Sequence, residues 1–285
     1  MKKYIYLLFL ILTTISCTEE IVIDDLDNVD PRLVIEASID INKYNNSYKT
    51  QTIKLSQTTS YYSNKYPQVK NAVISVTDEN GNSMGTFLDV NPAIPNDEED
   101  GVYTAVDFTQ PNLGDKYFLS ITVDGETYTA EDTYTGIVDI NEINQQTISF
   151  GDDIIQINVN IDNEIGVDNY YLTKIDSPFR IISEYGSGND EEFTEEPGKN
   201  NFDVITYIDE ELEKDMKIDI SLYGISKNYQ NYLSKLFLIA QGSNGPFSTA
   251  PASVRGNILN TTNQDNYALG YFSVNQFIKT SYTVE

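Results

Sequence analysis

The stretch Tyr117-Phe-Leu-Ser-Ile-Thr-Val-Asp124-Gly125-Glu126-Thr-Tyr-Thr-Ala-Glu-Asp-Thr133 decides the fold class. Tyr117, Leu119, Ile121 and Val123 alternate with polar residues, the period of a strand with one face in a core and one in water. Asp124-Gly125 sits two residues wide between this run and the next. A type I′ turn needs positive φ at both central residues, which Asp-Gly supplies, so the stretch predicts a β-hairpin.

The same period extends in both directions. Leu33, Ile35, Ala37 and Ile39 alternate with Val34, Glu36, Ser38 and Asp40; Ile53 and Leu55 alternate with Lys54 and Ser56; Ile74 and Val76 alternate with Ser75 and Thr77. Asn80-Gly81 gives a second turn. No long helical pattern interrupts residues 32–134, which read as an immunoglobulin-like β-sandwich. Past Gly136, Ile155, Ile157, Val159 and Ile161 share one face. Phe202, Val204 and Ile208 are expected to share another, and Met216, Ile218, Ile220 and Leu222 a third. The stretch from Tyr185 to Asn201, with Gly-Ser-Gly and acidic pairs, reads as a mobile surface loop, and Asn91–Asp100 as a second insertion. Then the period changes. Tyr229, Tyr232, Leu233, Leu236, Phe237 and Ala240 form one apolar stripe, predicting a helix over 226–241. Ser226 caps it; Gly242 and Pro246 mark its end. Lys227, Gln230, Ser234 and Gln241 form its polar face, so the stripe is expected to pack on a sheet. The predicted class is mostly β, with two immunoglobulin-like sandwiches over 32–135 and 136–285, the second carrying this packed amphipathic helix.

The N-terminus reads as an address. Met1-Lys2-Lys3 is followed by an apolar run from Tyr4 to Ile15. At ~1.5 Å per residue it reaches about 18 Å, short of the ~30 Å hydrocarbon core, so a signal peptide over residues 1–16 fits better than a spanning helix. Ser16-Cys17 after such a run resembles a bacterial lipoprotein cleavage site, which makes Cys17 the lipid-modified residue. Glu19 and Glu20, at the start of an acidic tether over 17–31, resemble the surface-export signal of Bacteroidetes lipoproteins. The expected location is the outer membrane, lipid-anchored and exposed at the cell surface.

Composition excludes several function classes. The chain of 285 residues holds 44 acidic and 18 basic residues, a net charge of −26. A field of that sign repels polyanions, so nucleic acid is not an expected partner. Histidine is absent and cysteine occurs once. That removes His-based triads, His-ligated zinc, internal disulfides and Cys-ligated clusters.

The fragments Arg32-Leu-Val-Ile-Glu-Ala, Asn71-Ala-Val-Ile-Ser-Val-Thr-Asp, Gly114-Asp-Lys-Tyr-Phe-Leu-Ser-Ile-Thr-Val-Asp-Gly and Asn169-Tyr-Tyr-Leu run in order along the chain. Tyr229-Gln-Asn-Tyr-Leu, Pro246-Phe247, Asn257-Ile258 and Gly270-Tyr271-Phe272 follow. Behind a lipoprotein signal, this series resembles the DUF4249 family of Bacteroidetes lipoproteins. The resemblance implies a cell-envelope protein whose genes commonly neighbour TonB-dependent outer-membrane transporters. It brings no catalytic residues.

No catalytic residue, metal site or cofactor is predicted. The acidic clusters at Asp97–Asp100, Asp190–Glu192 and Asp209–Glu211 lack EF-hand spacing and read as solvated loop charge. Gly186-Ser187-Gly188 has neither the helix nor the lysine of a phosphate cradle. Tyrosine numbers 21 and tryptophan is absent. Tyr44, Tyr48, Tyr61, Tyr62 and Tyr66 cluster around the second strand and the loop after it. Exposed tyrosines stack on sugars or peptide groups, although the lack of tryptophan lowers the carbohydrate reading. Tyr61, Tyr62 and Tyr66, with Lys65 and no carboxylate, are the candidate contact residues. The expected function is a non-enzymatic lipoprotein that captures ligand for, or covers, a TonB-dependent transporter. The alternatives are a secreted hydrolase using carboxylates alone and a structural or adhesive surface protein.

Overall fold

The structure, a computed structural model, describes residues 30–45, 48–60, 63, 65–89, 101–149, 153–163, 167–193, 201–240 and 254–285. In its first part the chain forms β1 (Leu33–Asn42), β2 (Gln51–Gln57), β3 (Val73–Thr77), β4 (Leu88–Asp89), β5 (Val102–Ala105), β6 (Lys116–Val123) and β7 (Glu126–Thr133). The hairpin is the one the sequence predicts: β6 and β7 pair antiparallel with Val123 opposite Glu126, and Asp124 and Gly125 have φ of 50° and 80°. At the second turn only Gly81 has positive φ (79°). There Asp78 Oδ1 accepts from the amides of Asn80 and Asn82, an Asx-stabilised turn wider than a two-residue one.

The second part forms β8 (Ile140–Ser149), β9 (Asp153–Asp162), β10 (Tyr170–Asp176), β11 (Glu184–Asn189), a single turn α1 (Asp190–Phe193), β12 (Asn201–Ile208), β13 (Lys217–Ile225), α2 (Lys227–Ala240), β14 (Leu259–Asn260) and β15 (Leu269–Thr283). Two expectations need correction here. The Tyr185–Asn201 stretch is no plain loop: β11 pairs antiparallel with β10 along its whole length, and Phe193 packs with Tyr171 and Phe202. Gly186 and Gly188, expected in that loop, stand in β11 where the side chains of Thr173 and Phe193 press on the strand. Phe202, Val204 and Ile208 do not share one face either. The β12 register shifts between Asp203 and Ile205, so burial passes to Ile205 and Tyr207, and Ile208 is 46% exposed. One extra residue in a bulge inverts the phase of all that follow.

The strands make an eight-stranded sheet in the order β11-β10-β13-β15-β1-β2-β5-β4, a four-stranded sheet β14-β7-β6-β3, and a three-stranded sheet β12-β9-β8. Each small sheet covers part of one face of the long one. Ile35 and Ile39 of β1 and Ile53 of β2 meet Val76, Leu119 and Ile121 in the first core. Tyr171, Ile218 and Ile220 meet Ile157, Val159 and Val204 in the second. Each such aliphatic side chain contributes roughly 1.5–3 kcal/mol by leaving water. The architecture is therefore mostly β and sandwich-like, with α2 as the packed helix.

The last strand ties the two cores together. β15 runs parallel to β1 on one side and antiparallel to β13 on the other. Phe272 and Val274 pack in the first core, Ile278 and Val284 in the second. The segment before β15 docks on the hairpin, with β14 against β7 and Arg32 and Arg255 stacked on Tyr267 at 3.7 and 3.6 Å. Gly270 is where this return is tightest. Its φ is +98°, and a Cβ there would lie 2.0 Å from the Ile35 carbonyl oxygen, so only glycine fits.

Candidate functional site

The outer face of the long sheet carries the site. On the β1–β15 pair its cross-strand partners are Glu36/Tyr271, Ser38/Ser273, Asp40/Asn275 and Asn42/Phe277. Polar pairs thus occupy the middle and aromatic residues the two ends. Asn275 Nδ2 lies 2.8 Å from Asp40 Oδ1, 3.0 Å from Ser273 Oγ and 3.1 Å from Ser38 Oγ. Ser38 Oγ also donates to Asp40 Oδ1 at 2.8 Å. The side chain of Gln51 fastens the backbone beside them: its Oε1 accepts from the Asp40 amide and its Nε2 donates to the Asp40 carbonyl. Ser273 and Asn275 are each 1% exposed, and Asn275 Oδ1 has no partner. Burial pushes the Asp40 carboxyl above the usual carboxylate range, against the opposing hydrogen bonds from Asn275 and Ser38.

Helix α2 supplies one wall. Ser226 caps it as the sequence predicts, its Oγ accepting from the Tyr229 amide at 3.2 Å. Leu233 is the buried residue of the stripe, against Leu172 and Ile225; Tyr229, Tyr232 and Phe237 pack beside it half-buried, and Leu236, expected in the stripe, is exposed. Gln230, expected on the polar face, is 5% exposed, and its Nε2 donates to Ser234 Oγ at 3.0 Å. Gly242, Gln241 and Pro246 lie outside the described residues. Tyr229 and Tyr232 lie over Tyr271, with ring centroids 4.6 and 5.0 Å away. Burial first, then the charge of Asp40, pushes the Tyr229 phenol up.

Together these elements enclose a cleft of about 720 Å³, within the roughly 300–1,000 Å³ typical of ligand sites. Tyr223 and Phe277, which also line the cleft, are cross-strand partners stacked at 5.1 Å. Lys54, Lys174 and Tyr185 also line it. A smaller hollow of about 330 Å³ adjoins it on the same face, lined by Val34, Glu36, Ser56 and Tyr66. Glu36 lines both.

Of the candidate residues read from the sequence, Tyr66 is 64% exposed and borders this hollow. Cys17, Glu19, Glu20, Tyr61 and Tyr62 lie outside the described residues, as do the acidic cluster Asp97–Asp100 and the signal peptide. Tyr44 reaches away from the loop and donates to Asp139 Oδ1 at 2.6 Å. Asp209 of the third acidic cluster is buried and pairs with Arg180 at 2.5 Å. Among the described residues no group of three or more carboxylates or thiols is placed to hold a metal ion, and no helix is long and apolar enough to cross a membrane.

The sequence reading missed Asp40, Asn275, Ser273, Tyr223 and Phe277. The available signal was the run of short polar side chains at alternate positions, Ser38-x-Asp40 and Ser273-x-Asn275, in otherwise apolar strands.

A family profile described as "Domain of unknown function (DUF4249)" matches residues 18–280. No curated protein matches the chain. Among solved structures, one titled "Cytokine receptor complex - Crystal form 1A" is 7% identical, with 68% of this chain and 83% of that chain covered. Its TM-score of 0.25 is too low to bear on the fold.

Proposed function

The chain belongs to the DUF4249 family, and from that premise we propose that it is a non-enzymatic, lipid-anchored protein of the outer cell envelope that captures a ligand on the outer face of its long sheet, as accessory to a TonB-dependent transporter. The observation that carries the capture role is the cleft between α2 and the β1–β15 pair, lined by Ser38 and Asp40 among its polar residues and by Tyr229, Tyr232 and Tyr271 among its aromatic ones. Ser38 and Asp40 are half-buried there and are held by hydrogen bonds from the buried Asn275, so their side chains are fixed in place before a ligand arrives. Anchoring rests on Cys17 after the apolar run, surface export on Glu19 and Glu20, and the transporter on the family resemblance.

The cleft supports binding over hydrolysis. Glu36 and Asp40, the carboxylates lining it, stand four residues apart on one strand, their Cα atoms about 13 Å apart by the rise of a strand. Asp40 Oδ1 is also engaged by Ser38 and Asn275.

The test is affinity purification of the full chain from detergent-solubilised outer membranes of its native host. A β-barrel should co-purify with the wild-type protein. Cys17→Ser should leave the membrane fraction, because acyl chains contribute ~0.8 kcal/mol per buried CH₂. Recovery of the wild type without any barrel removes the transporter role, and a Cys17→Ser protein still wholly membrane-bound removes the anchor.

A further inference from the structure

We propose that the ligand of the cleft is an uncharged oligosaccharide, laid on the Tyr223–Phe277 shelf with its hydroxyls toward the polar floor. This inference rests on the capture reading above. Four observations converge on it.

The first is where the cleft lies. Its floor is the face of β13, β15, β1 and β2, each hydrogen-bonded on both sides, and Tyr185 reaches it from β11, the edge strand beyond β10. An extended peptide finds no backbone edge to join on the floor itself, so recognition there falls to side chains.

The second is the aromatic arrangement. Tyr223 and Phe277 stack across neighbouring strands with their planes 21° apart, and both are half-buried. Tyr185, two strands from Tyr223, is 51% exposed and lines the same cleft. A sugar ring presents an apolar C–H face to stack on such rings and a rim of hydroxyls to hydrogen-bond beyond them. Tyrosine serves both needs, with an apolar body and a polar tip. Because the two rings stack on one another, the Tyr223–Phe277 pair offers a sugar an outer ring face held firm by the ring behind it.

The third is charge. The ionisable carboxylates and amines lining the cleft are Glu36, Asp40, Lys54 and Lys174, two of each sign. Glu36 and Lys54 are cross-strand partners, and Lys174 Nζ lies 3.0 Å from Asp176. No surplus cation remains to pay for a polyanion's approach to a protein of net charge −26.

The fourth is the polar floor itself. Ser38, Asp40, Thr50 and Thr52 are among the residues that line the cleft. An acyl chain there would strip water from these groups and return no hydrogen bonds. Hydroxyls return them.

The experiment is calorimetric titration of the full chain in detergent with cello-, malto-, xylo-, manno- and β-1,3-gluco-hexaose, beside heparin hexasaccharide and tryptic casein peptides. Saturable binding of at least one neutral hexaose is expected. Tyr185→Ala should weaken it at least tenfold with an unchanged unfolding midpoint, because the side chain is half in solvent. Tyr223→Phe should keep most of it. Lys116→Ala, remote from the cleft, should change nothing. Peptide or heparin binding that depends on Tyr185, with no neutral hexaose bound, overturns the sugar and leaves the capture reading standing. Hexaose binding indifferent to both Tyr185→Ala and Tyr223→Ser overturns the shelf. No binding from any class overturns the sugar and the capture reading together.

Discussion

On the inner face of the β1–β15 pair stand Ile35, Ile39, Phe272 and Val274; on its outer face stand Ser38, Asp40, Ser273 and Asn275. Both sets follow the same alternation along the same two strands. Phe272 and Asn275 are both closed to water, while Ser38 and Asp40 are half-buried. The inner face excludes water with apolar packing and asks nothing further of its neighbours. The outer face excludes it with groups that must find partners, and they find them in one another. A face that costs desolvation and yields only modest net stability per hydrogen bond has a use other than stability. The contrast between these faces is open to direct attack.

The largest effect should fall on the inner face. Phe272→Ala removes a fully buried ring shared with the hairpin core and should cost about 3–5 kcal/mol in urea unfolding. If Asn275→Ala costs as much, the two faces are energetically alike and the contrast fails. Leu233→Ala comes next, at about 2–3 kcal/mol, since it is the stripe residue of α2 that is buried. Phe237→Ala should cost clearly less, because Phe237 is only half-covered. Equal losses would mean the helix sits deeper on the sheet than the half-burial of Phe237 implies.

Asp40→Ala should cost about 1–3 kcal/mol by leaving Asn275 Nδ2 with poorer partners. In a double-mutant cycle with Asn275→Ala the two losses should be strongly non-additive. Additive losses would show that the outer-face network is not a unit.

The inner side has its own polar exception. Asp132 on β7 is buried and accepts from the Val274 amide at 3.3 Å. Burial raises its carboxyl to about 6 from the ordinary 3.8. The folded state then holds the proton more firmly than the unfolded state. Its contribution is favourable below about pH 4 and is lost as pH rises through 6. Asp132→Asn should therefore be ~1–3 kcal/mol more stable than wild type at pH 7 and nearly equal to it at pH 4. Chemical denaturation at the two values checks this. A gain that is the same at both would mean the carboxyl is not the titrating group.

What the sequence made legible follows from range. The Asp124-Gly125 hairpin, the Ser226 cap and the existence of α2 are local and stand in the structure, although Gln230 of its expected polar face is buried and Leu236 of its expected stripe is exposed. The bulge at Asp203/Ile205 was invisible because alternation carries no mark of one extra residue. The site was hidden for a different reason. Asp40 and Asn275 are 235 positions apart, and only the parallel return of β15 beside β1 makes them neighbours. Read singly, each is a polar residue on the outward face of a strand, which alternation assigns to water.

The smallest expected effect concerns the hollow beside the cleft. Tyr66 is 64% exposed, and its carbonyl oxygen accepts from Gln68 Nε2 at 3.2 Å, a bond that does not need the ring. Tyr66→Ser should therefore shift stability by less than about 0.5 kcal/mol. Its place on the outer face makes it informative all the same. Glu36 borders both the hollow and the cleft, so a ligand longer than the cleft runs toward Tyr66. A hexaose should then lose affinity in Tyr66→Ser while a disaccharide that fits within the cleft does not. Equal behaviour of the two lengths would confine the site to the cleft and leave Tyr66 to a protein partner. A large loss of stability would move Tyr66 into the group of packed tyrosines with Tyr48, which lies against the first core.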